Sequence, residues 1–222
     1  MRHFDHQIDG LKEKILSVGT LVEEAIAKAI SALAKRDPEQ ANAVIDADAI
    51  IDRKEVDVEE EVLKILALYQ PVASDLRFVV GILKINNDLE RMGDLAKNIA
   101  KRVLTLSGRQ PQGLPVDFRA LSTQAQAMAR KSLDALVSSD AALAREVRMA
   151  GTEVDSVRRK LQSDLQKLIA ENPDQTEYYM TLIAVTRHLW RLAEMASNVA
   201  EEVIYMVDGE IVRHKSGQEA ST

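Results

Sequence analysis

The chain contains no cysteine. That excludes disulfides, thiolate metal sites and cysteine nucleophiles, and it fits a reducing, cytoplasmic setting. Aromatic residues are scarce at 4%, and 222 residues include only 9 Gly and 5 Pro. With so little punctuation, a few long helices are expected. No apolar run approaches the roughly 18 residues needed to cross a bilayer. The opening MRHFDHQIDG lacks the apolar core of a secretory signal. There is no glycine-rich phosphate loop and no nucleophile elbow. The four histidines, His3, His6, His188 and His214, form no H-x-x-x-H or E-x-x-H pair. A ferritin-like di-iron oxidase would need such ligands on two helices. His3 and His6 are expected to be exposed, and His214 receives no role.

What is present is a globular composition, 46% hydrophobic and 29% charged, with a net charge of −6. That balance disfavours bulk attraction to nucleic acid or to an anionic membrane. The acidity is concentrated. Between Asp46 and Glu61 stand eight acids against Arg53 and Lys54.

The chain is also written twice. Shifted by 100 residues, LERMGDLAKNIAKRV (89–103) aligns with LWRLAEMASNVAEEV (189–203), with six of fifteen positions identical. Upstream the shift is 103, which sets Asp37 on Asp140, Asp52 on Asp155 and Lys64 on Lys167. Such internal similarity indicates a duplicated unit. Each unit divides into three helical runs, at about 5–35, 38–69 and 74–106, then 116–138, 140–171 and 174–207. Pro38 after Asp37 signals a capped helix start, and Gln70-Pro71 signals a stop. A single amphipathic helix cannot bury its own stripe, whereas three antiparallel ones can. The expected fold is therefore all-α, two tandem three-helix bundles from an internal duplication. Residues 1–107 form the first repeat, 108–115 a linker, 116–208 the second repeat and 209–222 a polar, frayed tail.

On the third helix, Ile82, Ile85, Leu89, Met92, Ala96, Ile99 and Val103 recur at core spacing. A second stripe begins apolar at Leu76, Val80 and Leu83, then turns polar at Asn87, Glu90 and Asp94. On the second helix, Asp48, Asp52, Glu55 and Glu59 lead into Val62 and Leu66. Glu90 and Asp94 lie one turn apart, a like-charge pairing that a helix resists. Antiparallel packing brings Asp48 and Asp52 beside them. Two readings account for this patch. Oxygen ligands could hold Mg, Mn or Fe, or Lys97 and Arg91 could neutralise the acids locally. Gly93, mid-helix where glycine costs stability, reads as a close helix crossing.

QPVASDLRFVV (70–80), then LERMGDLAKNIAKR (89–102), then NVAEEVIYMVDGEIVRH (198–214) resemble the PhoU family of phosphate-uptake regulators. The family's E-R-x-G-D core stands complete as Glu90-Arg91-Met92-Gly93-Asp94, and the likeness runs from about Leu11 to His214. The resemblance implies two three-helix bundles in pseudo-two-fold relation and a cytoplasmic, non-enzymatic negative regulator of the phosphate-starvation response. Its expected partners are the ATPase of the phosphate ABC transporter, a phosphate-responsive sensor histidine kinase and a second copy of the chain. Neither nucleic acid nor membrane insertion is expected. The resemblance also implies a metal site at Asp48, Asp52, Glu90 and Asp94. A weaker second site would use Asp155, Glu194 and Asn198. The second repeat departs from the pattern, with Trp190 for Glu90, Gly151 for Asp48, Arg158 for Glu55 and Arg187 for Asn87. Trp190 reads either as a partner-binding anchor or as packing in place of a cluster. A metal-dependent hydrolase or oxidase on the carboxylates is the alternative function.

Overall fold

The computed structural model describes residues 2–108 and 114–212, with side chains from Phe4 onward. The middle of the linker, His214 and most of the polar tail lie outside the described residues. Six α-helices account for nearly all of the rest: α1 (Arg2–Lys35), α2 (Pro38–Tyr69), α3 (Ala73–Ser107), α4 (Arg119–Ser138), α5 (Ala141–Glu171) and α6 (Thr176–Asp208). A single 3-10 turn, Pro173–Gln175, precedes α6.

The punctuation acts where the sequence placed it. Asp37 accepts from the backbone N–H groups of Glu39 (3.0 Å) and Gln40 (3.1 Å), satisfying donors the first turn leaves open, with Pro38 inside the helix start. Asp140 repeats the cap with Ala142 and Leu143, both at 2.9 Å. The residue before each cap is left-handed, Arg36 at φ 53° and Ser139 at φ 51°. The duplication therefore preserved the whole turn, not the aspartate alone. Gln70 ends α2 in the same left-handed region, ahead of Pro71.

α4 begins at Arg119, three residues later than the sequence pattern predicted. The Asp117 carboxylate accepts the Arg119 backbone N–H at 2.9 Å and grips its guanidinium, which holds the chain in a turn. The second repeat has a first helix of 20 residues where the first repeat has 34, and the late start accounts for only part of the difference.

α1, α2 and α3 pack against one another, as do α4, α5 and α6. The predicted α3 stripe from Ile82 to Val103 is wholly buried, and its α6 counterparts Leu189, Leu192, Ala196, Val199 and Val203 form the matching core. The two bundles meet along an antiparallel seam between α3 and α6. At one end of this seam a Cβ on Gly81 would lie 2.5 Å from Met206, so the helices touch there because position 81 has no side chain. One turn on, Lys84 pairs with the buried Glu202 at 3.3 Å and lies 5.5 Å above the Tyr205 ring. Arg36, after α1, reaches across the repeats to donate to the Tyr178 hydroxyl on α6. No described helix is long and apolar enough to cross a membrane.

Candidate functional site

α2 and α3 cross closely at Gly93. A Cβ there would stand 3.2 Å from Ile51 Cδ1 and 4.0 Å from Asp48 Oδ1. The small residue therefore brings the acidic stretch of α2 onto the acidic stretch of α3. Asp48 is buried at 4% exposure, a costly place for a carboxylate without a partner. Its partner is Lys97, one helical turn beyond Asp94. The Lys97 ammonium donates to Asp48 Oδ2 and also lies 3.7 Å from Asp94 Oδ1. The Asp48 hydrogen bond raises the Lys97 pKa, with Asp94 and Asp52 adding to it. Local neutralisation by Lys97 is thus realised, and across two helices.

One ammonium does not balance the whole patch. The Glu90 carboxyl is held above its ordinary pKa by burial, then by Asp94, Asp52, Glu55 and Asp48. Glu55 is raised by burial, then by Glu59 and Asp52. Asn86, fully buried on α3, donates to the Glu55 backbone oxygen at 2.9 Å and to its carboxylate at 3.2 Å. Asp48, Asp52, Glu90 and Asp94 are therefore brought into one electrostatic neighbourhood, with Asp52 exposed on its rim. Their oxygens are the donor type that hard cations take. Among the described residues, however, no three His, Asp or Glu side chains close around one point tightly enough to hold an ion. Lys97 stands between Asp48 and Asp94.

In the second repeat the arginines reach the counterpart acids, one by contact and one by field. Asp155 receives Arg158 at 2.7 Å and Arg159 at 3.3 Å. Glu194 is pushed up by burial and pulled back by Arg191 and Arg158. Asn198, one turn beyond Glu194 on α6, lines a polar cavity on the α3–α6 seam with Lys84, Asp88, Arg91 and Glu202. Arg187, the other arginine that the sequence offered to the acids, makes no ion pair with them among the described residues. Trp190 is half-buried against the core with the Arg158 guanidinium 4.9 Å from its ring centre. The indole thus packs where the first repeat has Glu90, under a cation.

Sequence reasoning missed the Asn86–Glu55 tie, the Lys84–Glu202 pair and the surroundings of His188. Asn86 carried a signal, being a polar residue next to Ile85 in a buried run. The other two depend on which faces of α3 and α6 meet, and nothing local encodes that.

The fold and site define a duplicated triple-helix protein with one acidic, lysine-neutralised inter-helix groove and one arginine-rich counterpart. A family model described as the PhoU domain matches residues 15–103 and again 118–203, once per repeat. The chain belongs to the PhoU domain family. The phosphate-specific transport system accessory protein PhoU homolog of Aquifex aeolicus is 39% identical over 209 residues, covering 94% of this chain and 95% of that one. The homolog of the same name in Pseudomonas aeruginosa is 35% identical over 215 residues, covering 96% and 88%. Among solved structures, PhoU from Pseudomonas aeruginosa matches with a TM-score of 0.89 at 35% identity, over 93% of this chain and all of that one. The phosphate transport system regulatory protein PhoU from Streptococcus pneumoniae matches with 0.86 at 31% identity, over 94% and 99%.

Proposed function

We propose that this chain is a non-enzymatic accessory protein of phosphate uptake that restrains the phosphate-starvation response when phosphate is plentiful. In this reading it works in the cytoplasm as a homodimer. It contacts the ATPase of the high-affinity phosphate ABC transporter and a phosphate-responsive sensor histidine kinase. The observation that carries the reading is likeness over both repeats to phosphate transport accessory proteins, one of them 39% identical across 94% of the chain. Purified chain would be tested for capture of the transporter ATPase and of the kinase's cytoplasmic portion, with and without phosphate. Retention of either supports the reading, and no capture under any condition overturns it.

We further propose that the first repeat takes up a hard cation, Mg, Mn or Fe, through Asp48, Asp52, Glu90 and Asp94. What supports this is the surplus of carboxylates that Lys97 leaves unneutralised. The cation would supply charge neutralisation and stiffen the α2–α3 crossing. It must compete with Lys97 for Asp48, so weak uptake by the native chain and stronger uptake after removal of the lysine are expected.

A further inference from the structure

The seam between α3 and α6 is electrically lopsided. Near one end, a cavity of 480 Å³ is lined by Lys84, Asn87, Asp88, Arg91, Asn198, Glu201 and Glu202. Three of these are acids, and Lys84 is taken up by Glu202. The shift of 100 residues that relates the repeats carries this set onto Ala184, Arg187, His188, Arg191, Asn98, Lys101 and Arg102. An antiparallel helix pair related by a two-fold axis presents both sets on the same side of the molecule. The second set contains four permanent cations and no acid. Asp88 has become His188, and Glu201 and Glu202 have become Lys101 and Arg102.

The substitutions converge on one point. Burial first, and then Arg102 from α3 and Arg187 and Arg191 from α6, hold the His188 pKa down to about 4. His188 Nδ1 is buried without a hydrogen-bond partner. None of the three guanidiniums has an ion-pair or hydrogen-bond partner among the described residues. Glu194 on α6 acts on Arg191 only through its field. On α5, Asp155 is held by Arg158 and Arg159. Arg187 also borders a cavity of 230 Å³ between α5 and α6, lined with Arg158, Thr186 and Trp190. Like charges gathered with no counterion repel one another, and guanidinium forks match tetrahedral oxyanions.

We infer that Arg102, Arg187 and Arg191, arranged around His188, form a binding site for a small multivalent oxyanion of the phosphate type. The anion bridges guanidiniums from the two repeats. His188 takes up a proton on binding, because the anion cancels the positive field that keeps the ring neutral, and Nδ1 then gains a function as donor. A free ion is favoured over an anionic lipid surface by the net charge of −6 on the chain. The site stands apart from the partner reading above, since it is measured on the isolated chain.

The probe is inorganic phosphate, followed by calorimetry and by nuclear magnetic resonance of the imidazoles, with His188→Gln assigning the signal. Phosphate binding is expected, with the His188 midpoint moving up from about 4. The double variant Arg187→Gln with Arg191→Gln should weaken binding about tenfold or more, since two charge-assisted contacts are lost. These arginines are exposed, so their replacement leaves the fold intact. Arg91→Gln, the counterpart in the acidic end, should change affinity by less than about twofold, because it makes no contact with the anion. An unmoved His188 midpoint in millimolar phosphate, or a double variant that binds like the native chain, overturns the site. Binding to phosphatidylglycerol vesicles without binding to free phosphate overturns the assigned ligand.

Discussion

Lys97 on α3 donates to the buried carboxylate of Asp48 on α2, and this single ammonium is the fixed counterion of the acidic groove. Its replacement separates the two roles of the patch. Lys97→Met leaves Asp48 buried beside Asp94 and Glu90 without a cation. Loss of a partner in a largely buried pair should cost about 1–3 kcal/mol. Denaturant unfolding in chelator measures the loss. Added manganese or magnesium should restore more stability to Lys97→Met than to the native chain. Equal responses in the two proteins would remove the proposed competition between lysine and cation.

Glu90 gives a prediction of opposite sign. Its folded pKa is raised, by burial first and by four neighbouring acids after it. The folded state therefore binds this proton more readily than the unfolded chain. Its contribution is fully present below the ordinary carboxylate pKa and is lost as pH rises through the raised value. Glu90→Gln should raise the melting temperature of chelated protein at neutral pH, and the gain should fade on acidification towards the ordinary pKa. Melts across that window, compared with the native chain, give the check.

Gly93 sets the α2–α3 spacing. Gly93→Ala trades a 3.2 Å contact with the end of the Ile51 side chain against better helix propensity, and the second repeat carries Ala193 at the same place. A change within about 1 kcal/mol is expected. Gly93→Leu has no such outlet and should cost about 1–3 kcal/mol by overpacking the crossing. It should also shift the Asp48–Lys97 pair, visible as a lower Lys97 pKa by nuclear magnetic resonance.

The duplicated caps offer an additive test. Asp37→Ala and Asp140→Ala each remove two hydrogen bonds from a first turn and should each cost about 1 kcal/mol. Because the caps lie in different repeats with no shared partner, the double variant should show the sum. A shortfall in the double variant would reveal coupling through the Arg36–Tyr178 link, which joins one of these turns to α6.

Much of this architecture was open to reading from the residues. The Ile82–Val103 stripe, the Asp37 cap and the Gln70 stop are local signals of period, cap chemistry and proline, and each stands where the pattern placed it. The acids were visible as misfits on packing faces. Their neutralisation by Lys97 from the neighbouring helix was only half visible. Spacing set Lys97 near Asp94, but the bond to Asp48 needs the Gly93 crossing. The late start of α4 turned on a side chain, Asp117, gripping Arg119 rather than on hydrophobic period. Asn198 illustrates the remaining gap. It lies one turn beyond Glu194 on α6 and lines the polar cavity on the α3–α6 seam, and no local signal announces that, because the rotation of α6 against α3 is fixed by the whole interface.

The close meeting of α3 and α6, down to the Gly81–Met206 contact, bears on what the connecting peptide is for. The repeats adhere through a helical interface that buries apolar residues of α3 and α6 and leaves a polar cavity beside them. Two polypeptides ending after α3 and beginning before α4 would recognise each other and reconstitute the molecule without a covalent tether. The tandem gene product is, in physical terms, a dimer whose halves were given permission to diverge in charge.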